Sequence, residues 1–411
     1  MSEVLIIIII YLIAKLSLDI LQIQTIKTVP IDQQSIDLLG INSNEEYKSR
    51  RYNIEKLKIS ILRNVVYVGW IIYLLSGGLV IEINSYLESF LLNEYLHNLG
   101  VILVVFIVVH LSMLPLSYFS TFVIEDKYGF NTSTKRLFFR DNLVSLLMAL
   151  ILITVMSSVF FYLVSFTEIW WLLLASTMFI FIILSIYIYP TYISPIFNKF
   201  DNLDDDVIKS EIRDLSKQTN FSINNLYVMD KSKRTKHPNA YFTGFKNNRR
   251  IVFYDTLIDL LSPKEIKAVL AHEIGHYKHN HIFKSLVVST AVIFIGMFYL
   301  SSLINNASYL EFLNLPMNQA SQLIALVFTY QVISFFIEPF FSILSRSNEY
   351  EADNFASKQV DKEHLVTSLI KLYKSNLSFL IPNKLYAMFY FSHPTIPVSY
   401  THLTLPTKSS G

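Results

Sequence analysis

Apolar residues in this chain are gathered into long unbroken runs, not spaced at the intervals of a one-sided helix or strand. Seven runs, at about 3–23, 59–80, 99–121, 143–166, 169–190, 285–304 and 322–345, are long enough to cross a bilayer, which takes about 20 apolar residues. Each predicts a membrane-spanning helix. Only Ser165 to Glu168 separate the fourth run from the fifth. The first run opens Val4-Leu5-Ile6-Ile7-Ile8-Ile9-Ile10. Glu3 stands where a signal peptide has basic residues, and no small-residue cleavage site follows, so the run reads as a retained span.

Two stretches break the pattern. Residues 197–284 carry much of the charge, including Asp201, Asp204, Asp205, Asp206, Lys231, Lys233 and Arg234. Within them Asn225–Met229, Ala240–Thr243 and 250–253 predict short strands, the last two joined by a Gly-Phe-Lys-Asn-Asn turn. Residues 346–397 have helical periodicity through Leu365, Leu369, Ile370 and Tyr373. The expected architecture is a mostly α, polytopic membrane protein. Residues 1–196 hold the first five spans, and residues 197–397 form an α+β part that includes the last two.

Composition agrees with this and narrows it. Hydrophobic residues make up 52% of the 411 positions and charged ones 16%, against about 25% charged in ordinary soluble domains. A formal net charge of +2 gives no case for a nucleic-acid partner. The absence of cysteine excludes disulfides, thiolate metal ligands and a cysteine nucleophile. Lys and Arg are distributed by side. Lys27, Lys48, Arg50, Arg51, Lys56 and Lys58 lie in 24–58, and Lys127, Lys135, Arg136 and Arg140 in 122–142, whereas 81–98, 165–168 and 305–321 have none. Short cytoplasmic loops retain basic residues. This predicts an outside or lumenal N-terminus, a cytoplasmic C-terminus, and an inner-membrane or endoplasmic-reticulum location.

Chemistry concentrates just before the sixth span. Ser262-Pro263-Lys264-Glu265 has the form of a capping box with Pro in the first turn. The helix it opens runs into His272-Glu273-Ile274-Gly275-His276. Four residues make about one turn, so His272 and His276 share a face and can reach one metal, with Glu273 beside them to take a proton from water. His279 and His281 follow as rival ligands, but the pattern that would recruit them needs Gly at 279 and His at 282, where this chain has His279 and Ile282. Both are read as polar residues at the cytosolic end of a span. A zinc site needs a third protein ligand and an open fourth position. Glu349 and Asp353, just past the seventh span, lie four apart on one helical face. One can bind metal while the other accepts a ligand histidine's second N–H, and spacing does not choose between them. Glu351 falls on another face and is expected to be solvated.

At this point the chain resembles the zinc-dependent CAAX prenyl protease family, the type I seven-span membrane metalloproteases, from about Tyr47 to Pro397. The matching stretches are Phe122-Val123-Ile124-Glu125 with Tyr128-Gly129-Phe130-Asn131, Tyr189-Pro190-Thr191, and Ile193-Ser194-Pro195-Ile196-Phe197-Asn198-Lys199-Phe200. Further on come Asn239-Ala240-Tyr241-Phe242, Ile251-Val252-Phe253-Tyr254-Asp255-Thr256-Leu257, the His-Glu-x-x-His helix, Ser345-Arg346 with Glu349-Tyr350-Glu351-Ala352-Asp353, and Ser392-His393-Pro394-Thr395. The resemblance implies a barrel of tilted helices around a watery chamber, closed at its cytosolic end by a zincin-like metalloprotease part. It implies one zinc ion (Zn2+) per chain on His272, His276 and Glu349, with Asp353 supporting a ligand histidine and Glu273 as general base. His393 corresponds to a histidine that holds the developing oxyanion, and Asn239, Ala240 and Tyr241 to an edge strand that pairs with substrate.

The implied partners are a peptide or protein substrate, prenylated or not, and the lipid bilayer; the oligomeric state is not legible. Two other functions fit the same residues: a quality-control protease acting on misfolded membrane proteins, and an inactive protease-like binding scaffold. Among intramembrane polar residues, Lys15 and Asp19 are expected to snorkel to the cytosolic interface. Glu338, eleven residues before Glu349, shares its helical face if Pro339 leaves the helix continuous. His110 is as well explained by ordinary packing as by lining the chamber. Finally, 398–411 departs from the family pattern, with neither helical periodicity nor the family's arginine. It is read as a non-native tail in which His402 has no role.

Overall fold

The computed structural model describes residues 2–31, 36, 39–75, 78–221, 225–243 and 250–395. The segment read as a non-native tail and the turn after Thr243 lie outside the described residues. In chain order the main helices are α1 (Ser2–Thr28), α2 (Ser43–Leu75), α3 (Glu94–Phe119), α4 (Lys135–Phe166), α5 (Trp170–Ile188) and α6 (Asp206–Gln218). They continue as α7 (Pro263–Lys278), α8 (His281–Ile304), α9 (Gln319–Gln359), α10 (Lys362–Ser375) and α11 (Lys384–Tyr390). The strands are β1 (Phe200–Asn202), β2 (Asn225–Met229), β3 (Ala240–Thr243) and β4 (Arg250–Tyr254).

Among the described residues, seven helices are long and apolar enough to cross a membrane, one for each apolar run. Many of their large side chains stay uncovered by protein, among them Ile13, Ile151, Phe166 and Ile180, as lipid contact requires. The helices form a ring in which α1 packs on α2, α2 on α3, α3 on α4, α4 on α5, α5 on α8 and α8 on α9. Helix α11 closes the ring by touching both α9 and α1. At one end the start of α9 is tied across the ring. Ala320 N–H donates to Asn98 at 3.1 Å, and the Gln319 amide donates to Ser165 at 2.6 Å.

Several boundaries differ from expectation. The second span begins earlier, at Ser43, because the basic stretch before it is helical too. There Arg50 donates to the carbonyls of Ile26 and Val29 at the end of α1, a basic residue satisfying helix-terminal acceptors. That span stops at Leu75 instead of running to 80. Gly78 lies at φ 78°, a left-handed conformation that glycine adopts without steric cost, and a separate helix, Leu79–Glu88, follows. The narrow gap between the fourth and fifth spans holds: α4 ends at Phe166 and α5 begins at Trp170. Helix α9 is continuous for 41 residues through Pro339, so Glu338 and Glu349 ride on one helix.

Asp19 does not snorkel. It is 2% exposed and accepts from Ser60 at 3.1 Å and Asn64 at 3.2 Å, both on α2. A buried carboxylate needs such donors, and this pair joins α1 to α2. Lys15 turns its ammonium to Tyr11 OH at 3.3 Å. His110 is partly buried with its ring 5.6 Å from that of Phe106, and Glu338 is exposed to the surroundings of α9.

Outside the ring, four strands form one sheet in the order β1-β2-β4-β3, with β2 parallel to β4 and the outer pairs antiparallel. β1 has no sequence signature, being three residues with two exposed. The predicted β3 is an edge strand, its Ala240 opposite Phe253 and Tyr241 opposite Val252. Helix α7 starts with the expected capping box, in which Ser262 N–H donates to Glu265 at 2.7 Å. It buries Ile266, Leu270 and Ile274 in a core shared with Leu215, Phe253 and Leu365; each such side chain contributes roughly 1.5–3 kcal/mol. The quoted motifs after α3 dock this core to the ring. Lys236 N–H donates to the Phe130 carbonyl at 3.0 Å, His237 stands 3.2 Å from Glu125, and Arg234 holds Asp141 with two bonds of 2.8 and 3.2 Å.

Candidate active site

With its apolar face committed to that core, α7 presents His272 and His276 to α9. The two helices touch at Gly275, where an added Cβ would lie 2.9 Å from Ala352 Cα. That contact sets the carboxylates of α9 against the imidazoles of α7. His272 Nε2 lies 3.1 Å from His276 Nε2 and 3.2 Å from Glu349 Oε2, and His276 Nε2 lies 3.4 Å from Glu349 Oε1. Ligands about 2.0–2.1 Å from a tetrahedral ion stand about 3.3 Å apart. The three side chains therefore fit such an ion in both donor chemistry and spacing. Burial pushes the His272 imidazole down, but hydrogen bonds to Asp353 and Glu349 outweigh it and lift it to about 10. The pocket favours positive charge.

Asp353 takes the position behind the first histidine. Its Oδ1 is 2.8 Å from His272 Nδ1, leaving Nε2 free to face the cluster. Glu273 is partly buried and lines cavities on both sides of the cluster, of about 500 and 340 Å³. Burial pushes its carboxyl up, against the pull of His272 and His276. His393 is brought in from the C-terminal segment. Its side chain is 71% exposed, and Nε2 stands 3.4 Å from Glu349 Oε1. Asn239 and Ala240 line the smaller cavity together with His272, Glu273 and His393. Tyr241 does not line it and lies against Tyr254 instead, ring centroids 6.4 Å apart. A larger cavity of about 850 Å³ continues from His393 along Tyr52, Lys56, Tyr386 and Tyr390 to Gln22, between α1, α2 and α11.

Sequence reasoning missed three participants. Arg346 donates to the carbonyls of Ala387 at 3.0 Å and Phe391 at 2.5 Å, anchoring to α9 the segment that carries His393. His281, read as a polar residue at the end of a span, does open α8 but is buried there. It is 4% exposed and its Nδ1 lies 2.9 Å from His276 Nδ1. Glu351, expected to be solvated, is engaged by His281 at 3.0 Å and Lys284 at 3.1 Å. Asn280 at φ 55° turns the chain back between α7 and α8, and no periodic pattern in the sequence announces that reversal. His279 is exposed.

A ring of membrane helices, with the two histidines of a His-Glu-x-x-His helix set against Glu349 of the last span's helix, defines a membrane metallopeptidase. Residues 202–403 match the model of peptidase family M48, and residues 24–199 that of the CAAX prenyl protease N-terminal region with five membrane helices. CAAX prenyl protease 1 of Saccharomyces cerevisiae is 33% identical over 71% of this chain and 68% of its own length. The homologue in Arabidopsis thaliana is 32% identical over 92% of this chain and 91% of its own. The crystal structure of S. mikatae Ste24p superimposes with a TM-score of 0.89 at 30% identity, covering 97% of this chain and 98% of that one. The chain belongs to the CAAX prenyl protease family of M48 metallopeptidases.

Proposed function

We propose that this metallopeptidase holds one zinc ion on His272, His276 and Glu349 and cleaves peptide bonds near the C-terminus of prenylated CAAX-type proteins. The observation that carries the zinc assignment is the convergence of three ligand atoms at 3.1–3.4 Å with Asp353 behind one imidazole. Zinc bound there supplies Lewis acidity toward a carbonyl and acidifies water. The chain's own residues supply the rest. The edge of β3 at Asn239 and Ala240 pairs with an extended substrate and lays its scissile bond across the cluster. Glu273 takes the proton of the attacking water on its carboxylate and returns it to the departing amine nitrogen. His393 donates toward the oxygen on which negative charge develops. The lipid-modified end of the substrate has room in the cavity that runs from His393 to α1 and α2. The family likeness over nearly the whole chain supports the substrate class.

A farnesylated CAAX peptide, its unprenylated twin and an unfolded membrane protein distinguish the readings. The farnesylated peptide is expected to show the highest kcat/KM, by at least about tenfold, which corresponds to about 1.4 kcal/mol of transition-state binding. Preferential cleavage of the unfolded protein would replace this function with quality control. No cleavage of any of the three by the zinc-loaded protein would leave the inactive scaffold.

The site is proposed to face the cytoplasm, on the basis of the basic loops at 24–58 and 122–142. Because the chain has no cysteine, single-cysteine variants report sidedness cleanly. A cysteine replacing exposed Ser308 is expected to react with an impermeant maleimide from the outer or lumenal side, and one replacing exposed Ser210 only after permeabilisation. The reverse pattern would invert the topology.

A further inference from the structure

Each imidazole of the cluster points one nitrogen inward and leaves the other to be held from behind. Behind His272 stands Asp353. Behind His276 stands a second imidazole, His281 Nδ1 at 2.9 Å from His276 Nδ1. His281 Nε2 in turn lies 3.0 Å from Glu351 Oε2, which also accepts from Lys284 at 3.1 Å. Of the chain's three histidines outside the proposed ligands in this region, His281 alone is buried, at 4% exposure.

The proton positions follow from chemistry. His276 Nε2 faces His272 and Glu349, so toward an ion it is a bare lone pair and the ring's proton sits on Nδ1. That proton can go only to a lone pair on His281 Nδ1. A neutral imidazole with Nδ1 bare carries its proton on Nε2, and there Glu351 receives it. Every donor in the series meets an acceptor.

We propose that His281, backed by Glu351, is a positioning residue for the metal ligand His276, an imidazole-to-carboxylate relay matching what Asp353 does alone for His272. This rests on the zinc reading above. Partners of this kind fix the tautomer and ring orientation of a ligand histidine, and their loss costs about 10–100-fold in metal affinity or activity. The ligand atoms of His279, His281 and Glu351 also lie within 4.8 Å of one another. An ion held there would need the Nε2 lone pair of His281, which the relay protonates. The two arrangements are mutually exclusive.

The test is zinc affinity, measured by chelator competition on the purified full chain, with the visible spectrum of the Co2+-substituted protein as a second readout. His281→Phe keeps a ring and removes the acceptor. His281→Asn puts an amide oxygen where Nδ1 was. Affinity is expected to fall about 10–100-fold for Phe and to stay within a few-fold of the parent for Asn, with the Co2+ bands shifted only in the first. Glu351→Ala, at a partly exposed site, is expected to weaken zinc several-fold without lowering the melting temperature of the zinc-free protein. Parent-like affinity in both His281→Phe and Glu351→Ala would overturn the relay while leaving the zinc site intact. Equal losses in Phe and Asn, or a second bound zinc that His279→Ala removes, would also overturn it. A parent that binds no zinc would bring down the zinc reading itself.

Discussion

Glu273→Gln is expected to leave bound zinc unchanged and to lower peptide hydrolysis by about 10²–10⁴-fold, the range for losing a positioned general base. At 1.36 kcal/mol per decade this is about 3–5 kcal/mol of transition-state stabilisation. The residue lies between the two histidines in sequence, borders both cavities beside the cluster, and makes no hydrogen bond to His272, His276 or Glu349 among the described contacts. An amide keeps its size and most of its polarity but cannot take up a proton. The loss should therefore fall on kcat, with KM little altered. Metal analysis and peptide kinetics on the same preparations decide it. Equal turnover by parent and variant would remove Glu273 from the chemistry, and loss of zinc would recast it as a structural residue.

Gly275→Val is expected to empty the site without touching a ligand. An added Cβ at this position meets Ala352 Cα at 2.9 Å and its carbonyl oxygen at 3.0 Å. Those neighbours are backbone or rigidly attached to it, so relief requires α7 and α9 to separate. Ala352 lies three residues after Glu349 and one before Asp353, so any separation withdraws Glu349 from both imidazoles and Asp353 from His272. Overpacking of this kind costs about 1–3 kcal/mol of stability, and a misplacement of about 1 Å costs about 10²-fold in activity. Thermal melting in detergent and zinc retention during chelator challenge provide the readouts. A variant that melts earlier yet keeps zinc as tightly as the parent would mean that the helices slide without spreading.

The parts of this molecule that were readable in advance are those encoded by local periodicity. Seven apolar runs became seven helices, Ser262 and Glu265 cap α7 as their spacing suggests, and His272, His276, Glu349 and Asp353 meet because each pair sits one turn apart on its own helix. What stayed hidden depends on where elements lie relative to one another. A single left-handed Asn280 swings His281 behind His276, which five residues along a straight helix would not do. Asp19 is buried because α2 brings Ser60 and Asn64 to it. The stop after Leu75 follows from a backbone turn at Gly78 inside an otherwise apolar run. Gly275 gave no sign of its role, because the atom that forbids a larger side chain belongs to a residue far along the chain.

The order of the site's parts along the polypeptide bears on how such a protease can be made safely. His272 and His276 precede the hairpin of α8 and α9, whereas Glu349, Asp353 and His393 come after the apolar part of α9. A growing chain thus presents two imidazoles first, and the carboxylate that completes the set emerges only once both spans have been synthesised. Under the zinc assignment proposed above, the set of ligands is complete only after both of these spans have been made.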